Sequence, residues 1–73
     1  MPEYKVSFFW DNEAAVWIAT SDEVPGLVLE AGSLDALMER VRHAVPELLS
    51  LNRTEQGDFA LHFYSERHEH IAL

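Results

Sequence analysis

Three histidines towards the C-terminal end of the chain are the residues best suited to bind a metal ion. His62, His68 and His70 lie close together in the sequence, with Glu66 and Glu69 among them. On an extended strand His68 and His70 would point to the same side, an arrangement that can bind Zn²⁺. A structural zinc site usually has four ligands, and the chain has no cysteine. We therefore predict a solvated polar tail without a metal, with zinc binding at these histidines as the alternative.

The side chains that could carry out covalent or acid–base catalysis lie in ordinary surroundings. None of the serines follows the pattern of a nucleophile elbow, and there is no cysteine. Asp11 with Glu13, and Asp22 with Glu23, form carboxylate pairs, but both pairs lie in predicted turns and not in the buried settings of general acids. The glycines are each explained by turns, so no phosphate-binding loop is present. The sequence predicts a protein that is not an enzyme and binds no cofactor.

The charge of the chain argues against one class of partner and favours another. Thirteen acidic residues against five lysines and arginines give a net charge of −8 over 73 residues. Nucleic-acid binding depends on Lys and Arg, so direct contact with DNA or RNA is not expected, whereas an acidic surface attracts basic proteins. A chain of this length forms one domain, residues 1–73. Since neither a secretion signal nor an apolar run of ~20 residues is visible, we expect a cytoplasmic protein.

Alternating apolar and polar residues predict four strands. The predicted strands are residues 4–10, 15–20, 27–31 and, after a polar loop at 52–57, residues 59–64. The first two strands form a hairpin around a short polar turn. Pro25 and Gly26 predict the centre of a type II turn, because proline fixes its φ and glycine accepts a positive φ. The tail after residue 64 either extends the fourth strand or frays.

Apolar residues at spacings of three and four predict one helix between the third and fourth strands. Ser33 is a good N-cap, and the helix should continue to about Leu51. Pro46 either kinks it near residues 44–45 or begins a second short helix. The predicted fold is therefore α+β: an antiparallel sheet in β-β-β-α-β order, with one kinked amphipathic helix on one face. The residues that carry the helical pattern are Leu34, Leu37, Met38, Val41, Val45 and Leu48.

Several blocks of the sequence, in order, resemble HicB-type antitoxins. Residues 16–20 (Val-Trp-Ile-Ala-Thr), the turn at 22–27 (Asp-Glu-Val-Pro-Gly-Leu) and the helix start at 32–37 (Gly-Ser-Leu-Asp-Ala-Leu) resemble the core of those proteins. The chain is similar, more closely still, to a small uncharacterised bacterial family of stand-alone HicB-like domains. That similarity rests on residues 6–11, 15–21 and 45–49, and it explains Pro46 as a family trait.

The resemblance implies a partial ribonuclease-H-like fold without catalytic carboxylates, in a bacterial cytoplasmic protein that forms dimers or higher oligomers. HicB-type antitoxins neutralise a small basic RNA-cleaving toxin by masking its active site, and the acidic charge of this chain suits such a partner. Full-length HicB antitoxins also carry a C-terminal DNA-binding segment. No such sequence occurs up to Leu73, so repression of an operon by this chain alone is not expected.

Large apolar side chains are predicted on both faces of the sheet, although one helix covers only one face. We expect a homo-oligomer with Phe9 and Trp17 as its anchors, unless the helix end or the tail covers the second face. The expected function is a protein-binding module of the antitoxin kind, and the alternative is a self-associating structural or regulatory domain without a toxin. The predicted acidic contacts to a basic partner are Asp11, Glu13, Asp22, Glu23 and Glu30.

Overall fold

Four strands and one helix make up the domain, in the predicted order. The structure, a computed structural model, describes residues 1–52 and 57–73. The elements are β1 (Glu3–Asp11), β2 (Val16–Thr20), β3 (Val28–Ala31), α1 (Leu34–Leu51) and β4 (Ala60–Glu66). The predicted α+β class is confirmed. Most of the polar loop predicted at 52–57 lies outside the described residues, and the tail after Glu66 does not extend β4.

The sheet is mixed, with strand order β3-β2-β1-β4. β2 pairs antiparallel with β1 and with β3, but β4 pairs parallel with β1, with Glu3 opposite Ala60 and Phe9 opposite Glu66. The prediction of an antiparallel sheet was therefore wrong for the pair β1–β4. The physical reason is that α1 carries the chain back along the sheet, so that β4 starts at the same end as β1.

The core lies between α1 and one face of the sheet. Alternate residues of β1, Val6 and Phe8, point towards the helix and are fully buried. The helix is continuous from Leu34 to Leu51 with Pro46 inside it, so no second helix begins at the proline. Ser33 is the N-cap, and its Oγ accepts a hydrogen bond from the Ala36 N–H at 3.3 Å, as predicted. The remaining buried apolar residues are Ala19, Val24, Leu27, Leu37, Val41, Val45 and Leu49.

The Pro-Gly turn closes the core at the C-terminal end of the helix. Gly26 has a φ of 87°, and the Leu27 N–H donates to the Val24 carbonyl at 3.2 Å, as in a type II turn. The Asn52 side-chain amide donates to the Pro25 carbonyl at 3.3 Å and to the Leu48 carbonyl at 2.9 Å. The turn is thereby joined to the end of α1. Within the described residues, no helix is both long and apolar enough to cross a membrane.

Candidate functional site

The face of the sheet that points away from α1 is not covered by any helix or strand of the described chain. We call it the open face. Its members follow from the strand register, since residues directly opposite one another in paired strands share a face. The open face consists of Glu3, Lys5, Ser7, Phe9, Asp11, Val16, Ile18, Thr20, Val28, Glu30, Ala60, His62, Tyr64 and Glu66.

Three large side chains give the open face its apolar character. Phe9 is 42% exposed, Tyr64 55% and Val28 71%. The Lys5 ammonium lies 4.9 Å from the centre of the Tyr64 ring, close enough for a cation–π interaction. A shallow groove between β1 and β4 runs from Lys5 past Phe9 and Tyr64 to Glu66. This combination of exposed aromatic rings and charges is typical of a protein-binding surface.

The two residues predicted as oligomer anchors lie on opposite faces of the sheet. Phe9 is opposite Ile18 on the open face, whereas Trp17 is opposite Trp10 on the helix side. The Trp10 and Trp17 rings pack edge to face with their centres 5.7 Å apart, and the Arg67 guanidinium lies 4.1 Å from the centre of the Trp10 ring. Phe9 and Trp17 therefore do not form one surface. The register between the strands, which decides this, could not be read from the sequence.

Two of the predicted acidic contacts hold the fold together locally. The Asp11 carboxylate accepts hydrogen bonds from the Glu13 N–H at 3.0 Å and the Ala14 N–H at 3.2 Å, and so stabilises the turn between β1 and β2. The Glu23 carboxylate accepts from the Lys5 N–H at 2.6 Å. Charge reversal at either residue would therefore disturb a backbone contact as well as a surface charge.

The five predicted acidic residues do not form one patch. Asp11 and Glu13 lie at one end of β2, and Asp22 and Glu23 follow its other end, roughly 17 Å away along an extended strand. Glu30 lies on the open face, opposite Ile18. Asp22 and Glu23 line a depression beside Lys5 and Ser7, at the rim of that face.

The sequence alone did not indicate Tyr64, Val28 or Glu66 as binding residues, and the structure adds them to the open face. Tyr64 and Glu66 lie there because β4 pairs in parallel with β1, next to Ser7 and Phe9. The alternation of β4 was visible in the sequence, but its neighbour was not. Tyr64 is separated from Leu61 and Phe63 by an odd number of residues along the strand, so the alternation alone indicates that it lies on the opposite face of the sheet.

Two of the C-terminal histidines each contact a carboxylate. His62 Nε2 lies 2.5 Å from Glu3 Oε1, and His68 Nε2 lies 2.7 Å from Glu66 Oε2. His62 faces the open side of β4, whereas residues 68–70 lie beyond the end of the strand. Within residues 1–52 and 57–73, no group of three or more His, Asp or Glu side chains is arranged to hold a metal ion. Zinc binding by the tail therefore has no assembled site in the described residues.

The fold has a matching family model and a solved relative. The family model described as "Domain of unknown function (DUF1902)" matches residues 3–73. The chain is 37% identical to a hypothetical protein, TTHA1013, from the extremely thermophilic bacterium Thermus thermophilus, whose crystal structure it matches with a TM-score of 0.74. The match covers 97% of this chain and 99% of that one. No curated protein matches the chain significantly.

Proposed function

The chain belongs to the DUF1902 family of domains of unknown function, and from that premise we propose that it is a protein-binding module that acts without catalysis in the bacterial cytoplasm, as HicB-type antitoxins do. Its proposed partner is a small basic RNA-cleaving protein, which it neutralises by contact. The observation that carries the proposal is the open face, where Phe9, Val28 and Tyr64 are exposed on a rigid sheet.

The apolar part of the open face supports binding to a protein. Phe9 and Tyr64 lie on β1 and β4, two strands paired along seven residues, so the sheet fixes their backbone positions before a partner arrives. A surface of this kind loses little conformational entropy on binding, and aromatic side chains are frequent anchors of protein interfaces. Exposed apolar groups that cluster on one face favour association with another protein.

The charge around the open face supports a basic partner. Glu30 and Glu66 lie on the face, and Asp22 and Glu23 lie at its rim. Lys5 is the one lysine or arginine among the open-face residues. Together with the net charge of −8, this arrangement favours rapid encounter with a basic protein and disfavours acidic ones.

The resemblance to HicB-type antitoxins supports the choice of partner. The residues that carry the resemblance, 16–20, 22–27 and 32–37, form β2, the type II turn at Gly26 and the Ser33-capped start of α1. Each element that the resemblance implies for this part of the chain is present in that order. The nature of the toxin is inferred from the resemblance, and the docking surface from the geometry.

The test is affinity capture from a lysate of the native host, followed by an RNA-cleavage assay. The tagged domain should recover a small basic protein, and addition of the domain should suppress RNA cleavage by that protein. A double variant, Phe9→Ala with Tyr64→Ala, should weaken binding at least about tenfold, because alanine removes the two aromatic anchors.

The matched control is Leu51→Ala, which truncates an exposed apolar residue at the end of α1, away from the open face. This variant should bind like the unchanged chain. Recovery of only the domain itself would contradict the proposed function. Equal loss of binding in the control and in the double variant would remove the open face as the docking surface.

A further inference from the structure

The residues after β4 project beyond the sheet. We call residues 67–73 the arm; all of them are exposed. The longest dimension of the domain is 52 Å, yet β1 spans only about 30 Å and α1 about 27 Å at standard rises. The radius of gyration is 13.8 Å, against about 11 Å expected for a compact domain of this length. Both values indicate an elongated domain, as expected if the arm continues beyond the end of β4.

The strand from which the arm extends lies at an edge of the sheet. β4 pairs with β1 on one side, and in the described residues no strand pairs with its other side. Its outer row of backbone N–H and C=O groups is therefore available to an added strand. Long edge strands of this kind readily pair with a strand from another chain.

The apolar pattern of the arm continues the pattern of β4. Leu61 and Phe63 point to the helix side of the sheet, and Ile71 and Leu73 have the same parity along the chain. An arm in strand conformation would thus present both apolar side chains on the core side. In the single chain Ile71 is 71% exposed, so most of its apolar surface remains in water.

The core is incompletely covered at the edge beside β4. The backbone of α1 lies closest to β2 and β3, and over β4 the Arg42 guanidinium lies 5.8 Å from the centre of the Phe63 ring. Leu61 and Phe63 consequently remain only half-buried, although they contact the core. A second strand beyond β4 with apolar residues on the helix side would cover them.

We propose that β4 and the arm form a symmetric dimer with a second copy of this chain. The two strands run antiparallel about a two-fold axis at Arg67, so that the arm of each copy pairs with β4 of the other. This register keeps the helices of both copies on one side of a joint eight-stranded sheet. It places Ile71 and Leu73 opposite Phe63 and Leu61 of the second copy.

The polar residues of the arm are compatible with this register. His68 comes to lie opposite Glu66 of the second copy, on the side of the open face. The two Arg67 side chains meet at the axis, but each is already paired with Glu69 of its own chain at 3.1 Å and lies over the Trp10 ring. The charge of each Arg67 is therefore partly neutralised within its own copy, which weakens the repulsion between the two arginines.

The dimer is independent of the proposed partner, although it would enlarge the docking surface. The open face of one copy is about 19 Å wide, from four strands at a spacing of about 4.8 Å. In the joint sheet the two open faces lie on the same side, but the register displaces the two β4 strands by eight residues, roughly 26 Å along the strand direction, so the faces form a staggered and longer surface.

Sedimentation of the purified full chain tests the dimer without any partner. The unchanged chain should be a dimer at about 100 µM, and Ile71→Asp with Leu73→Asp should raise the dissociation constant at least about tenfold. Both residues are exposed in the single chain, so the variant should fold. Leu51→Asp, a charge at an exposed apolar site on α1, is the control and should remain a dimer.

A single cysteine tests the register. The chain has no cysteine, so Arg67→Cys introduces one thiol per chain. In the proposed register the two introduced thiols lie directly opposite each other, and the two Cα atoms are at a separation that a disulfide can span. Mild oxidation should give covalent dimers of Arg67→Cys but not of Ser50→Cys on the helix. A monomer at about 100 µM, a dimer insensitive to the arm variant, or cross-linking of Phe9→Cys in place of Arg67→Cys would overturn the proposal.

Discussion

Gly26 lies directly against Leu48: a Cβ built on Gly26 would be 3.3 Å from Leu48 Cδ2. The glycine also has a φ of 87°, in the region that residues other than glycine rarely adopt. Position 26 therefore requires glycine for two reasons: the positive φ of the turn, and the close contact with Leu48 near the end of α1. This contact connects the β2–β3 turn to the helix.

Replacement of Gly26 by alanine should destabilise the domain by about 1–2 kcal/mol, because the new side chain strains the backbone and crowds Leu48. Gly32→Ala is the matched control, since Gly32 has no positive φ and, apart from its two chain neighbours, no atom lies within 4 Å of the position that its new methyl group would take. The measurement is the free energy of unfolding in urea. Equal effects of the two substitutions would show that the turn does not depend on glycine at position 26.

Removal of the Ser21 hydroxyl should cost about 1–2 kcal/mol of stability. Ser21 Oγ donates to the Lys5 carbonyl at 2.6 Å and accepts from the Glu23 and Val24 N–H groups, each at 3.1 Å. It therefore joins β1 to the turn after β2. Ser21→Ala should lower the melting temperature by several degrees, and Ser50→Ala, at an exposed helix position, should change it little. A similar melting temperature for both variants would contradict this role.

A charge at Trp17 should destabilise the domain strongly, whereas a charge at Phe9 should change its stability little. Trp17 is half-buried on the helix side against Trp10, so Trp17→Glu would place a carboxylate beside the core and cost about 2 kcal/mol or more. Phe9→Glu alters an exposed site and should change stability by about 0.5 kcal/mol. Urea denaturation of both variants is the measurement. A Trp17→Glu variant as stable as the unchanged chain would show that Trp17 is not part of the packed side of the sheet.

The Glu39 side chain should make a small contribution to stability that depends on pH. Two hydrogen bonds lower the pKa of Glu39 from its ordinary 4.5. The larger effect comes from the contact with His43 at 3.1 Å, and the second from the Arg42 guanidinium, which donates at 3.0 Å. Because the folded state favours the ionised form, the contribution is complete above the ordinary pKa and is lost as the pH falls through the lowered value. Titration of the Glu39 carboxyl carbon by NMR should give a midpoint below 4.5, and His43→Ala should move it upward. A midpoint at or above 4.5 would contradict the contact.

The elements that depend on local pattern were predictable from the sequence. The helix was predicted to about Leu51 and ends there, since its apolar spacing and the Ser33 cap are properties of neighbouring residues. The Pro25–Gly26 turn was predictable for the same reason. β1, β2 and β3 were placed to within one residue at each end, because alternation is visible within a single strand.

The features that depend on pairing between distant strands were not predictable. Nothing in residues 59–66 indicates that β4 lies beside β1 and runs parallel to it. The relation of Phe9 to Trp17 likewise depends on the register of β1 with β2, since a shift by one residue moves a side chain to the other face. The composition of the open face followed only from these registers.

The parallel pairing of β1 with β4 also determines when the domain can fold. β1 is a central strand, and Glu3 finds its neighbour Ala60 only after most of the chain has been synthesised. Contacts between residues so distant in sequence slow folding, because a long loop must close before any of them forms. During synthesis, β1, β2 and β3 can form a meander, but one side of β1 remains unpaired until β4 leaves the ribosome. Until β4 pairs with β1, this exposed strand edge is open to aggregation and to binding by chaperones.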